Sequence, residues 1–347
     1  MTSAAPLLNF AKGLYAMYEK YYGFRERPFQ LTPTPNWFYA SKLHKRALAY
    51  LQYGLSQGEG FIVITGDVGT GKTTIANQLL NQLNQDEIIA KQIVTSKLEP
   101  DDLIRMVASS FNLVVTEHTK ASYLDAIYSY LKRLHAQHRR ALLLVDEAQN
   151  LPLASIEELR MLSNFQFNGK PLLQSFLLGQ NELNAIIQSP DMEQFRQRII
   201  ASSNLSALQP DDTKAYIQYR LQQAGADSSI IHEDCYPFIH QQSKGIPRKI
   251  NTLMDRVLLY GYLEDKKQLN TDDVQLVIAE INQEVANLHP SAPMPPSSAA
   301  DNTGISHNVS TALNSMIEEK LKLLQEMDEL LKKQQKALQQ KESKPFD

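Results

Sequence analysis

Gly66-Asp67-Val68-Gly69-Thr70-Gly71-Lys72-Thr73 has the spacing G-x-x-x-x-G-K-[ST] and directly follows the β-branched run Phe61-Ile62-Val63-Ile64-Thr65. A strand feeding a glycine-rich turn and then a helix lets backbone N–H groups approach phosphate oxygens with no Cβ in the way. The helix N-terminus adds partial positive charge. In such a cradle Lys72 would reach the β- and γ-phosphates and the Thr73 hydroxyl would ligate Mg2+, with Thr74 next in the nucleotide-binding run. The plain alternative is a glycine-rich turn of no chemical consequence. A second pair, Asp146-Glu147, ends the continuous apolar run Ala141-Leu142-Leu143-Leu144-Val145, which reads as a strand buried on both faces. Carboxylates there are costly unless a cation awaits them. Asp146 would hold Mg2+ through water, and Glu147 would polarise an attacking water as general base. Alone the pair could be a solvated turn; behind the glycine loop, in this order, it reads as the other half of a nucleotide site.

Three further positions are candidates. Gln180 follows the strand expected over Leu172 to Leu178, at the sheet edge where parallel strands present their carboxyl ends. It could sense a γ-phosphate or orient water, or equally cap the next helix. Arg196 and Arg198 could face a neighbouring subunit's nucleotide as arginine fingers, or be solvated helix charges. Arg248 falls in the first turn of a helix opened by Gly245-Ile246-Pro247, where the macrodipole disfavours a cation, so a nucleotide phosphate would account for its placement. The rings between Tyr21 and Tyr39, Trp37 among them, are expected to pack or to stack on a base.

The elements that must position these residues follow from pattern. Strands are expected at Phe61 to Thr65, Ile88 to Thr95, Ala141 to Val145, Leu172 to Leu178 and Ser202 to Leu208, giving an α/β P-loop core with a five-stranded parallel sheet. Helices are expected at Ser41 to Leu55, Thr73 to Leu83, Pro100 to Phe111 with Asp101 as cap, and Lys120 to His138. Another would open with a capping box at Ser155-Ile156-Glu157-Glu158 and bury Leu159, Leu162 and Phe165. From Pro210 onward the pattern is helical only: Asp211 to Ala224, Ile231 to Ser243, Ile246 to Tyr262 and Thr271 to Leu288, an all-α lid. The organisation expected is an extra N-terminal extension 1–16, an aromatic and proline-rich strap 17–45 lying across the domain that follows, a core 46–209 and a lid 210–288. A Pro/Ser-rich linker 289–308 follows, then an amphipathic or coiled-coil helix with a tail, 309–347, needing a second copy or a partner groove.

Composition narrows the classes. The 347-residue chain carries a net charge of −3, so no global basic field points to nucleic acid, although a local patch remains open. Its single cysteine, Cys235, excludes an internal disulfide and is expected to be a small core residue. No stretch reaches the length of a membrane span, so membrane work is expected to be peripheral.

Together these residues resemble P-loop ATPases of the AAA+ class. More closely, Tyr18-Glu19-Lys20-Tyr21-Tyr22-Gly23-Phe24, Pro28-Phe29, Leu31-Thr32-Pro33, Gly58-Glu59-Gly60-Phe61, Asp146-Glu147-Ala148-Gln149-Asn150-Leu151, Leu159-Arg160-Met161-Leu162-Ser163-Asn164, Leu178-Gly179-Gln180 and Gly245-Ile246-Pro247-Arg248-Lys249-Ile250-Asn251 resemble the secretion ATPases related to general secretion pathway protein A. Within that group the wording is most similar to ATPases of exosortase-associated exopolysaccharide loci. The resemblance implies ATP and Mg2+ as cofactors, Lys72 and Thr73 on Walker A, Asp146 and Glu147 on Walker B, Gln180 near sensor 1, Arg248 on sensor 2, and Arg198 or Arg196 on the finger position. It also implies an ATP-dependent homo-oligomer in the cytoplasm or peripheral to the inner membrane, with a client in envelope export or polysaccharide assembly. A DNA-associated regulator similar to transposition ATPases, and a scaffold in which ATP is structural, are the alternatives.

Overall fold

A computed structural model of the chain describes residues 18–30, 37–84, 86–226 and 228–288. The N-terminal extension, the linker and the C-terminal amphipathic helix lie outside the described residues. Contacts divide the chain into two compact units at Ile278/Ala279, so the sheet and most of the downstream helical segment belong to one unit.

The elements of that unit run α1 (Lys42–Gln57), β1 (Phe61–Gly66), α2 (Lys72–Gln82), β2 (Ile88–Val94), α3 (Pro100–Ser110), α4 (Lys120–Ala136) and β3 (Arg140–Asp146). They continue with α5 (Leu153–Leu162), β4 (Gln166–Phe167), β5 (Lys170–Pro171), β6 (Leu173–Gly179), α6 (Asn181–Gln188), α7 (Glu193–Arg196) and β7 (Ile199–Leu205). Helices α8 (Pro210–Gln223), α9 (Cys235–Ser243), α10 (Pro247–Leu263) and α11 (Thr271–Leu288) complete the order. The main sheet has five strands in the order β2-β3-β6-β1-β7, all pairs parallel. It is the expected α/β fold.

Side chains alternate between two cores, as a sheet covered on both faces requires. Phe61, Val63, Leu143, Val145, Leu173 and Leu177 face α3, α4 and α5, while Ile62, Ile64, Leu142, Leu144, Phe176 and Leu178 face α1 and α2. Parallel pairing places the ends of β1, β3 and β6 on one edge, so Gly66, Asp146 and Gly179 come together with whatever residue follows each.

Several local expectations need correction. Ser155 does not open a helix: α5 starts at Leu153 behind Pro152, the Ser155 hydroxyl donates to the Leu98 carbonyl at 2.7 Å, and Glu158 pairs with Lys120. Phe165 lies past the end of that helix, against Tyr128. Asp101 is not the cap of α3; Glu99 precedes Pro100, and Asp101 and Asp102 instead place charge in the first turn, where the helix dipole favours it. Strand β7 begins three residues earlier than expected, because a bulge opposite Phe61/Ile62 lets Ile199 as well as Ala201 pair with β1. Helix α9 starts at Cys235 rather than Ile231, since Ile231 is taken by a bridge to Leu269. The short β4/β5 hairpin was not expected, although Asn168-Gly169, both at positive φ, is a strong two-residue hairpin signal.

The strap also differs. Residues 18–30 pack on the distant helical segment, while Phe38 of the same strap packs against the adjacent core at α1. Arg27 Nη2 donates to both carboxylate oxygens of Asp255 on α10 (2.9 and 3.0 Å), and Tyr18 Oη donates to the same carboxylate at 2.7 Å. Tyr22 Oη reaches the Lys266 carbonyl. Cys235 is buried, and burial pushes its thiol pKa up, as for a core residue. Among the described residues no helix is long and apolar enough to cross a membrane.

Candidate functional site

The cleft of about 330 Å³ at the strand-end edge is lined by the loop 68–74, by Glu147, and by Pro247, Arg248 and Asn251 of α10. Trp37, Phe38, Tyr39, Tyr216 and Arg220 also line it, which gives the strap's rings a place on the cleft. Arg220 is buried with its guanidinium 5.3 Å from the Trp37 ring and donating to the Pro28 carbonyl at 2.6 Å.

Two glycines explain the loop's path. Gly66 has φ 152°, and a Cβ there would lie 2.3 Å from the Leu205 carbonyl oxygen. Gly69 has φ 85°, and a Cβ would lie 2.5 Å from Cβ of Arg248, so its bare Cα is what lets α10 touch the loop. The contact is completed by the Arg248 backbone N–H, which donates to the Gly69 carbonyl at 3.2 Å.

Lys72 Nζ donates across the loop to the carbonyls of Gly66 (2.8 Å) and Asp67 (3.0 Å). Burial holds its pKa below the usual lysine range, against the opposing pull of Glu147, Asp146, Asp67 and Glu182. Thr73 Oγ1 donates to Asp146 Oδ2 at 3.1 Å, and the Glu147 N–H donates to Asp146 Oδ1 at 3.0 Å. Burial raises the Asp146 pKa, partly offset by these hydrogen bonds. A hydroxyl and a buried carboxylate side by side are hard oxygen ligands short of positive charge, which suits Mg2+. Among the described residues no group of three or more His, Cys, Asp or Glu forms a metal cage, so an ion here would take its remaining ligands from water and phosphate.

Glu147 sits at φ 57°, a left-handed turn held by Thr95 Oγ1, which donates to the carbonyls of Asp146 and Glu147 at 2.8 Å each. Its Oε2 accepts from Gln149 Nε2 at 2.7 Å and from Gln180 Nε2 at 3.3 Å. Gln180 is the N-cap residue of α6, but its side chain makes no capping bond. The structure thus gathers Lys72, Thr73, Asp146, Glu147, Gln180 and Arg248 around one edge.

It does not bring Arg196 or Arg198 there. Arg198 directly precedes β7, at the opposite edge of the sheet from the loop, and its Nη1 donates to Ser163 Oγ at 2.9 Å. Arg196 caps the end of α6 by donating to the carbonyls of Ile187 (2.8 Å) and Ser189 (2.6 Å). Charged hydrogen bonds are worth about 1.5–3 kcal/mol each, so Arg196 is held inside its own subunit.

Sequence reading missed four contributors: Thr95, Gln149, Asn181 and His44. Asn181 Nδ2 donates to Asp67 Oδ1 at 2.6 Å, tying α6 to the loop. His44, buried on α1, has Nδ1 2.7 Å from Ser41 Oγ and Nε2 3.3 Å from the Thr70 carbonyl, which requires the Nε2–H tautomer. Burial lowers its pKa, although the Thr70 carbonyl and Asp212 pull the other way. Only Gln149, two residues after Glu147, gave a positional signal. A histidine with a depressed folded pKa contributes stability that is present above its ordinary pKa and is lost as pH falls below it. Melting temperatures taken at about pH 7.5 and about pH 5.5 should fall more steeply for the wild type than for His44→Gln; equal slopes would contradict this account of the brace.

The family model described as AAA domain matches residues 55–187. General secretion pathway protein A of Aeromonas hydrophila is 38% identical over 267 residues, 77% of this chain. Residues 55–187 thus match an AAA domain, in a chain similar to general secretion pathway protein A over most of its length. It spans about half (49%) of the length of that relative. Among solved structures the AAA domain and its helical segment are similar to the ORC2 protein of Aeropyrum pernix in its ADP form, with TM-score 0.58, 15% identity, and 74% of this chain and 73% of that one covered. They are also similar to Cdc6p of Pyrobaculum aerophilum, with TM-score 0.57, 17% identity, and 72% and 70% covered. At these identities the likeness concerns the fold of the AAA domain.

Proposed function

We propose that the chain is a Mg2+-dependent ATPase whose helical segment moves against the sheet core with nucleotide state. One observation carries the reading: Lys72, Thr73, Glu147 and Arg248 line a single cleft between the two, with Asp146 hydrogen-bonded to Thr73 behind it. ATP would lie with its phosphates on loop 66–74 and its base toward Trp37 and Tyr216. Lys72 would leave its loop carbonyls for the β- and γ-phosphates, Thr73 and Asp146 would hold Mg2+, and Arg248 would reach the phosphates from α10. The ion's contribution is to neutralise charge on the phosphate oxygens. Glu147 would accept the proton of the attacking water, and Gln180 orients that carboxylate from the end of β6. Arg198, at the opposite edge of the sheet from the loop, would exchange its one bond to Ser163 for a neighbour's nucleotide, which makes the active form a homo-oligomer.

By kinship with a protein named for general secretion, the client is expected in cell-envelope secretion or exopolysaccharide export, reached from the cytoplasmic side, peripheral to the inner membrane, with the C-terminal segment as docking arm. Steady phosphate release from ATP that disappears on Mg2+ chelation supports the enzymatic reading, and none under any condition contradicts it. Light scattering with ATP, with ADP and without nucleotide tests the switch: the assembly should be larger in ATP, and an unchanged mass would remove it.

A further inference from the structure

Glu147 sits in a left-handed turn, and three side-chain rotations, χ1 to χ3, decide where its carboxylate oxygens point. Something must fix them. The nearest donor is not a charged group but the Gln149 amide, 2.7 Å from Oε2. The other end of the same amide is also fixed: Gln149 Oε1 accepts the Gln180 backbone N–H at 2.9 Å. Its amide oxygen lies against Gly179, where a Cβ would come within 3.1 Å of Oε1. Gln180 itself adds a longer, weaker bond to the same Glu147 oxygen at 3.3 Å.

We infer that Gln149 is a positioning residue for hydrolysis, a strut that ties the Glu147 carboxylate through Oε2 to the carboxyl end of β6 and so sets where Oε1 meets the water; this rests on the ATPase reading above. Three features favour the strut over mere packing. A donor to one carboxylate oxygen fixes the plane of the group, and a bond to an ionised acceptor is about twice as strong as a neutral one. An amide does this without adding a charge that would compete with Lys72 for the carboxylate. The same side chain uses both its donor and its acceptor, so Glu147 and Gln180 are set by one object, and movement of either strand end is transmitted to the other. Misplacing a catalytic group by about 1 Å can cost about a hundredfold in rate without changing how substrate binds.

The test is a split between kcat and binding. Gln149→Met, similar in size but without donor or acceptor, is expected to lower kcat about tenfold or more while ATP affinity stays within about twofold. Gln149→Glu, which keeps an acceptor for the Gln180 amide and removes the donor to Glu147, is expected to lose kcat similarly, so the outcome does not hang on one variant's folding. In a Glu147→Gln background, where the base is already gone, Gln149→Met should cost little more, because the two residues act as a unit. Wild-type kcat in either single variant, or the same loss in both backgrounds, overturns the inference while leaving the ATPase reading intact. Full turnover by Glu147→Gln would instead overturn the parent reading and this inference with it.

Discussion

Lys72→Ala should abolish ATP binding at concentrations that saturate the wild type. The ammonium is buried, its pKa is held down by desolvation, and its present partners are loop carbonyls. Those neutral acceptors take two of its three donors, and the carboxylates of Glu147, Asp146, Asp67 and Glu182 offset its desolvation only in part, so a phosphate that replaces the carbonyls gains a charge-assisted bond. Removing one member of a buried charged pair costs about 2–5 kcal/mol, or roughly thirtyfold to several thousandfold in affinity. The loss can be read as heat of binding or as thermal shift. A ligand at about a hundred times its dissociation constant stabilises its protein by about 2.7 kcal/mol, so ATP should raise the melting temperature of the wild type and leave that of Lys72→Ala unmoved. Equal shifts in the two proteins would mean that the loop does not hold phosphate.

Glu147→Gln should behave in the opposite way, retaining ATP and losing turnover. The substitution keeps the side chain's length, and its amide oxygen can still accept the Gln149 bond that the carboxylate accepts now. What disappears is the ability to take a proton, and loss of a general base costs about 10² to 10⁴ in rate. Removing a negative charge beside the phosphates works in favour of binding, so affinity should hold or improve. A variant that turns ATP over at the wild-type rate would assign proton removal elsewhere; one that fails to bind would make Glu147 a structural group.

The parts legible in the sequence were those in which one residue type has one physical use. Gly66 and Gly69 occupy backbone positions that a Cβ would block, and Asp146 ends a strand buried on both sides, so both motifs could be read without knowing what packs around them. The parallel sheet followed from the same apolar runs. Contacts made over long separations were not legible. Tyr18 and Asp255 are 237 residues apart, and nothing local indicates that the strap reaches past the core to grip α10. His44 reads as one position on a helix face, and only the fold puts its Nε2 under the Thr70 carbonyl. Ser155 shows the converse error. The pattern of a capping box is present, but Pro152 starts the helix earlier and the hydroxyl finds the Leu98 carbonyl instead. Arg196 and Arg198 could not be separated by sequence, and both side chains are hydrogen-bonded within the chain, Arg196 to the carbonyls at the end of α6 and Arg198 to Ser163.

The central claim is that one cleft both binds ATP and hydrolyses it through Glu147. Its most direct test is phosphate release under saturating ATP and Mg2+, followed in parallel for the wild type and Glu147→Gln with bound nucleotide quantified in the same samples. The account predicts equal occupancy and a rate lower by about a hundredfold or more in the variant. Equal rates at equal occupancy would contradict it.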